Sequence, residues 1–403
     1  MINEKKNDDQ VIIVGGGPIG LICGFWLAKM GITVSIYEKG TIIPEDLRAS
    51  TWHPATLDML DEYDISDMII RKGSITPSWQ YRYQDTGERA IFELNVLEGE
   101  TNHPYRVQCE QFHVVKYLSN KIQGLDNANL YLNCNVFDIA QDEEGVDVHI
   151  IDNGEKITER CKYLIGCDGG HSIIRQKLGL GFEGKTYPVL TMVAITDFPF
   201  EKYYDGLSGV NYIWTEKSNF SLLKVPDRWR SGITPIQGQN PKDTLSDNSL
   251  ESHFQKIYSR PGERYNILAR GMYQTHQRVT ETFNLGRVLL AGDAAHLNSP
   301  NGGLGMNCGV HDAINLSNKL YKVWHGSDHS LFNLYTRQRK TIATEYVHSL
   351  SDANHRRMRQ TDPEVRREIM NNLKEITSDK RLMKNYLMKS SMIESVRYAE
   401  SIK

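Results

Sequence analysis

The stretch VIIVGGGPIGLICGFWLAKMGITVSIYE, residues 11–38, is the one around which the rest of the chain is read. Val11-Ile12-Ile13-Val14 is a short, β-branched run of the kind that forms a strand buried on both faces. Gly15, Gly17 and Gly20 follow in G-x-G-x-x-G order, with Pro18 where the first turn of a helix tolerates a missing N–H. The spacing predicts a helix with Leu21, Phe25, Leu27 and Ala28 on its inner side, stopped by Gly31, and then a strand from Thr33 to Tyr37 that ends in Glu38. One glycine permits the tight turn, one lets the backbone approach a pyrophosphate, and one lets helix and strand lie close. The helix N-terminus offers unpaired N–H groups and a positive dipole to phosphates. Glu38 stands 18 residues after Gly20, near the roughly 20-residue spacing of a carboxylate that accepts from ribose hydroxyls. A glycine triplet alone could be a plain turn. Two flanking strands and the acidic end make it a dinucleotide site.

At 403 residues the chain is longer than one hydrophobic core supports, so two domains with a terminal appendage are expected. The formal net charge of −3 suggests neither nucleic acid nor an anionic membrane as a partner. Cys23, Cys109, Cys134, Cys161, Cys167 and Cys308 form no C-x-x-C pair, so no zinc signature or disulfide framework is read, and a reduced cytoplasmic setting is expected. The opening MINEKKNDDQ is too charged for a signal peptide, and no apolar run approaches the roughly 18 residues of a membrane span.

Farther along, Leu57, Leu60 and Ile65 predict a helix beginning near Pro54, just after His53. Trp79, Tyr81 and Tyr83 alternate as a strand, and Asp85-Thr86-Gly87 is a hairpin turn. The segment RVQCEQFHVVKYLSNKI, from Arg106, has helical spacing, and strands are expected at Leu130 to Cys134 and Val146 to Ile151. Tyr187 to Arg278 is strand-rich with one helix from Leu250 to Tyr258. Beyond Leu331 the chain reads as a helical cap with a solvated face. The expected α/β organisation is a Rossmann-like nucleotide-binding domain in three pieces (residues 1–77, 105–184 and 283–328), interleaved with a sheet-rich substrate domain (78–104 and 185–282) and followed by C-terminal helices (329–403).

Two more stretches narrow the cofactor. In KYLIGCDGGHSIIRQKLG, the strand Tyr163 to Cys167 ends in Asp168-Gly169, with Ser172 and Arg175 completing D-G-x-x-S-x-x-R. In GRVLLAGDAAHLNSPNGGLGMNCGVHDAINLSNKL, the strand Val288 to Ala291 ends in Gly292-Asp293, followed by a Pro-x-Gly-Gly loop and a helix from Met306 with Val310, Ile314 and Leu320 inward. Asp293 at a strand's carboxyl end can accept from a ribityl hydroxyl. Gly302, Gly303 and Gly305 let the backbone lie against a flat ring, and the helix aims its positive end at any ring oxygen that gains negative charge. A glycine hinge alone would not require the acid. From Val11 to about Leu320 the chain resembles the FAD-dependent aromatic hydroxylases, the class A flavoprotein monooxygenases typified by para-hydroxybenzoate hydroxylase, whose domain is of the glutathione reductase type.

The resemblance implies a function and a set of residues. FAD would be held by Gly15, Gly17, Pro18, Ile19, Gly20, Glu38, Lys39, Arg48, Gln111, Asp168, Arg175, Gly292, Asp293, Pro300, Gly303, Leu304, Gly305 and Met306. Glu38 would take the adenosine ribose, Arg48 the pyrophosphate or flavin side, and Gln111 the ribityl chain, with Arg106 a weaker candidate. Asp168 and Arg175 would also help dock a transient NADH or NADPH, because no second G-x-G-x-x-G is present. Leu304 stands where many members carry glutamine. Reduced flavin would add O2 to give a C4a-hydroperoxide that hydroxylates a small phenolic or N-heteroaromatic ring, without a metal. Such a step calls for a base near the flavin, and His53, Tyr212 and His296 are the candidates. A reductase or dehydrogenase, or a halogenase of the same fold, is the alternative, although no W-x-W-x-I-P stretch is present. The sequence leaves open monomer or homodimer.

Overall fold

Strand β1 (Val11–Val14) lies inside a six-stranded sheet, and its four residues are all buried. Across the sheet the order is Asn284–Leu285, Val288–Leu290, Tyr163–Gly166, β1, β2 (Val34–Tyr37) and Ala128–Tyr131. All pairs are parallel except the first. Gly166 pairs with both Val14 and Leu290, and Val14 with Tyr37. Parallel register therefore brings the carboxyl ends of four strands, and the loops that follow them, to one edge. The computed structural model describes residues 9–42, 45, 49–188, 190–216, 218–233 and 240–403.

Helix α1 (Pro18–Lys29) differs from the one-sided helix expected, since every residue from Gly20 to Ala28 is buried. It is covered by the sheet, by the helix Gln111–Gln123 and by the helix Leu304–Trp324, which is why it is apolar all round. Two other readings need correction. Arg106–Gln108 is a strand rather than the start of a helix, paired antiparallel with Thr51–Trp52 on one side and Ser74–Thr76 on the other. The helix begins only at Gln111. The expected strand Leu130 to Cys134 is broken at Asn133, where φ is +59°. Cys134–Gln141 instead starts a separate three-stranded antiparallel sheet with Val146–Asp152 and Glu155–Cys161.

A seven-stranded sheet joins distant segments, because Ser78–Tyr83 pairs in parallel with Val210–Trp214. One face packs Phe200, Phe254 and Trp229 into a core with the helix Asp247–Ile257. The other presents Trp79, Tyr81 and Trp214 to a core shared with Leu304, Val347, Met370 and Leu387. The C-terminal helices are thus packed on the sheet, and they turn inward through a π-helical turn at Ile342–His348 between Ser330–Thr341 and Ser349–Arg359. Among the described residues no helix is long and apolar enough to cross a membrane.

A Cβ at Gly20 would lie 2.0 Å from the Gly15 carbonyl oxygen. Gly20→Ala must push α1 away from its turn, an overpacking that costs about 1–3 kcal/mol. We expect a lower thermal midpoint together with weaker flavin retention. An unchanged midpoint would show that the helix has room to move.

Candidate functional site

The sheet edge gathers the motif loops. At β1's end Gly15 has φ +109°, and a side chain there would collide with the Cys167 carbonyl. Gly17 faces open space and caps α1 without any side-chain hydrogen bond, so the first N–H groups of the helix face outward. Pro18 is the first helical residue. The Glu38 carboxylate accepts from the Gly16 and Gly40 N–H groups, each at 2.7 Å, and Lys39 beside it is exposed. Asp168 accepts from the Ile173 N–H through Oδ2 at 2.7 Å, while its Oδ1 is buried without a partner. Burial raises its pKa against those hydrogen bonds. Asp293 is exposed just past Gly292, whose φ is +62°.

The second helix N-terminus stands over this edge. Gly302 and Gly303 have φ +104° and +69°, and the helix starts at Leu304, two residues earlier than expected, with no side-chain cap. Asn307 accepts from the His53 N–H at 3.0 Å and donates to the Thr51 and Gly303 carbonyls at 2.8 and 2.7 Å. Gln111 opens its own helix, its N–H on the Ala49 carbonyl at 3.0 Å. Two uncapped helix ends and an open glycine turn as donors, with a buried unpaired carboxylate oxygen and a strand-end acid as acceptors, fit a flavin dinucleotide. Arg48 lies outside the described residues. Pro300 is exposed, Met306 half-buried, and a Cβ on Gly305 would meet Asn298 at 2.8 Å.

Several named side chains are engaged elsewhere. Ile19 fills a notch between Gly292 and Gly309, so any cofactor contact it makes is through its backbone. Arg175 donates to the Ala294 and Gly170 carbonyls, both at 2.9 Å, and lies 3.7 Å from the Phe182 ring centre. It braces the two motif loops against each other. His296 is buried with Nε2 2.6 Å from Asp312 Oδ2, which leaves it bound to a carboxylate below the Gly292 loop. Asp312 also accepts from the Gly292 N–H at 3.1 Å and from Arg339 Nε at 2.6 Å. Burial opposes these charges, but the pairing outweighs it, raising the His296 pKa well above the usual imidazole range and lowering that of Asp312. His296, Cys308 and Asp312 have the chemistry of metal ligands. Arg339, 3.2 Å from Cys308 Sγ, already supplies a cation there.

Next to Gly302 and Leu304 is a narrow cavity walled by Trp79, Tyr81, Arg106 and Tyr212, and closed by Leu350, Asn354, Tyr386 and Ser390 from the C-terminal helices. Its free volume is about 10 Å³, so a ring enters only when a wall side chain swings aside. Tyr81 stacks on Tyr212 with centres 5.1 Å apart, and Trp79 stands edge-on to Tyr212 at 6.1 Å. Arg357 donates to the Tyr386 hydroxyl at 2.9 Å. Of the three candidate bases, only Tyr212 lines the cavity. His53 sits behind it, fully buried, with Nε2 2.9 Å from the Gly302 carbonyl and Nδ1 unpartnered. Burial, then the Arg106 charge, hold it well below the usual range, as a neutral ring. Arg106, a weaker ribityl candidate from sequence, points into this cavity. Tyr386, Ser390, Leu350 and Asn354 escaped the sequence reading, because a helix read as a solvated cap gives no sign of which turn faces a pocket. A wider surface hollow at Gln141, Arg287 and His329, about 490 Å³, touches none of the expected FAD-holding or base residues.

A family model described as "FAD binding domain" matches residues 8–350. The chain is similar to a para-nitrophenol 4-monooxygenase of Pseudomonas sp. (strain WBC-3), 28% identical over 400 residues that cover 97% of this chain and 98% of the relative. It is also similar to the 6-hydroxy-3-succinoylpyridine 3-monooxygenase HspB of Pseudomonas putida, 28% identical over 92% of this chain and 94% of that one. The crystal structure of p-nitrophenol 4-monooxygenase PnpA from Pseudomonas putida DLL-E4 superposes with a TM-score of 0.90, at 27% identity, covering 96% of this chain and 98% of that one.

The Asp312 cluster supports a direct test. Its carboxylate contribution is complete at neutral pH and is lost as pH falls through the lowered Asp312 value; the His296 contribution is complete below the imidazole's unfolded value and lasts until pH rises through the raised one. Asp312→Asn leaves two buried cations without their counter-ion, which costs about 3–5 kcal/mol. We expect a marked fall in thermal midpoint and, through the freed Gly292 N–H, poorer flavin loading. A stable, fully yellow variant would show the cluster to be dispensable.

Proposed function

The chain belongs to the FAD binding domain family, and we propose that it is a monooxygenase that uses NAD(P)H and O2 to hydroxylate a small phenolic or N-heteroaromatic ring. The observation that carries the reading is the aromatic cavity, walled by Trp79, Tyr81 and Tyr212, directly against the Gly302–Leu304 loop. Stacked and edge-on aromatic walls favour a planar guest. The relatives named for para-nitrophenol and for a hydroxylated succinoylpyridine act on such rings, and that substrate class is the one we carry over. When bound, FAD accepts a hydride equivalent from the nicotinamide and activates oxygen.

The protein's own groups supply position and exclusion. In this reading Glu38 would take the adenosine ribose, the Gly15–Gly20 turn the pyrophosphate, and Asp293 and Gln111 the ribityl chain, while the N–H groups at Leu304 and beyond would donate to the flavin ring. Arg175 supports donor docking by bracing the Gly170 and Ala294 backbone. A guest filling the narrow cavity would displace water from the reacting ring. His53 and Tyr212 are the groups we propose for handling a phenolic proton: His53 has an unpartnered Nδ1, and the Tyr212 ring lines the wall. The six cysteines are all free, in keeping with the cytoplasmic setting we propose.

Two measurements test this reading. NAD(P)H oxidation should be stimulated by 4-nitrophenol or a hydroxypyridine, with one O2 consumed and one hydroxylated product formed for each nicotinamide. Stimulated oxidation that proceeds without oxygen would mark a reductase instead. Glu38→Ala and Asp293→Ala each delete a hydrogen bond to a charged group, and should weaken FAD binding about ten- to a hundredfold.

Tyr212→Phe should leave FAD binding and reduction largely intact, whereas His53→Ala, which also removes the contact to the Gly302 carbonyl, should loosen FAD as well. A lost proton acceptor slows hydroxylation by about 10²–10⁴-fold, so more hydrogen peroxide and less product should appear per NAD(P)H. Unchanged coupling in both variants would remove these two residues from the chemistry.

A further inference from the structure

Four arginines among the described residues are almost wholly buried: Arg106, Arg175, Arg339 and Arg366, at 3, 5, 2 and 2% exposure. A buried guanidinium needs a counter-charge or several acceptors, and three of the four have them. Arg175 holds two carbonyls at 2.9 Å. Arg339 holds the Asp312 carboxylate and the Cys308 carbonyl. Arg366 donates to the carbonyls of Gln360, Thr215 and Ser218. Arg106 makes a single long bond, from Nη2 to the Ser390 carbonyl at 3.3 Å, and its Nε is buried without a partner.

Its surroundings show what is missing. The guanidinium lies 5.1 Å from the Trp79 ring centre, with Tyr81, Tyr212 and Tyr386 as its titratable neighbours in the cavity wall. Arg357 is tied to the Tyr81 and Tyr386 hydroxyls. His53 behind the wall is neutral. Among the described residues no Asp or Glu lines the cavity, and no carboxylate pairs with Arg106. Yet the group is mounted rigidly, on a strand hydrogen-bonded along both edges. A fixed, planar, under-satisfied cation beside a flat aromatic slot is a preorganised acceptor for one kind of guest.

We infer that Arg106 is the receptor for an oxyanion carried by the planar aromatic substrate, either its phenolate oxygen or an acidic ring substituent. The inference rests on the reading of this cavity as the substrate site. Two parallel N–H donors of a guanidinium match a carboxylate, and one or both can reach a phenolate. Because the cation favours the ionised guest, it also lowers the pKa of a bound phenol. A substrate that enters as its anion needs less from a neighbouring base.

The test is equilibrium binding to the FAD-loaded enzyme without NAD(P)H, followed by Trp fluorescence and, for 4-nitrophenol, by the probe's own absorbance, which reports its ionisation. The probes are phenol, 4-nitrophenol and benzoate. Wild type should bind at least one of the two acidic probes about ten- to a hundredfold more tightly than phenol. A preference for 4-nitrophenol alone, with its pKa lowered on the enzyme, assigns the phenolate; a preference for benzoate assigns a ring substituent. Arg106→Met should abolish the preference while keeping phenol binding, and Arg106→Lys should keep part of it. Since Arg106 makes only one long hydrogen bond within the protein, Arg106→Met should not lower the thermal midpoint. Equal binding of all three probes to wild type, a preference that survives in Arg106→Met, or an Arg106→Met protein that fails to fold would each overturn the proposal. None of these readings depends on turnover: oxyanion selectivity without substrate-stimulated NAD(P)H oxidation would sink the proposed reaction and leave the receptor standing, and coupled turnover of neutral and anionic rings alike would do the reverse.

Discussion

Gly20 lies so close to the Gly15 carbonyl that no side chain could stand between them, and the geometry of the flavin half follows from that approach. It lets α1 start at the sheet edge and puts Ile19 into the notch formed by Gly292 and Gly309. One side chain thereby registers the first glycine turn against the Gly292-Asp293 loop and against the helix Leu304–Trp324, which come from the far end of the sequence. Close packing transmits such a constraint because interiors have few voids to absorb it. Both uncapped helix ends are held to one edge of one sheet, and a dinucleotide can bridge them only if their separation is fixed.

A second constraint is electrostatic. Asp312 gathers His296, Arg339 and the Gly292 N–H around one buried carboxylate. A buried ion network of this kind is weak evidence for stability in itself, but its placement ties the loop after Val288–Leu290 to two helices. The loop keeps its left-handed Gly292 and presents Asp293 outward, while the charged groups beneath are shielded from solvent. His296, a candidate base in sequence from its position after the G-D motif, is turned inward and bound to Asp312.

The nucleotide-binding half was legible because its signals are local. A strand, a glycine turn, a helix and an acidic strand end follow one another within residues 11–38, and parallel register does the rest. The edges of that reading failed where pairing is long-range. Arg106–Gln108 carries no strand signal of its own; it is extended because Thr51–Trp52 and Ser74–Thr76 flank it. The same applies to the cavity's outer wall. Tyr386 and Ser390 sit on a helix whose amphipathic pattern says only that one face is covered, and what it covers depends on the π-helical turn at Ile342–His348 and on strands some 300 residues earlier. Leu304, expected both to hold FAD and to depart from the usual glutamine, is a buried wall of that cavity.

The electrostatics of the cavity bear on how a phenolic proton could leave. The sequence makes His53 a candidate base through its place on the loop just after Arg48. Burial and the adjacent Arg106 both disfavour its charged form, so the imidazole is a weak proton acceptor in this setting. The same cation acts on a bound phenol in the opposite sense, since it favours the form that has lost its proton. A positive field that weakens the nearby base therefore also reduces the need for one. The Nε2 contact of His53 to the Gly302 carbonyl then has a role that needs no titration: with Asn307, it fixes the start of the helix at Leu304 and the loop against which the ring would lie.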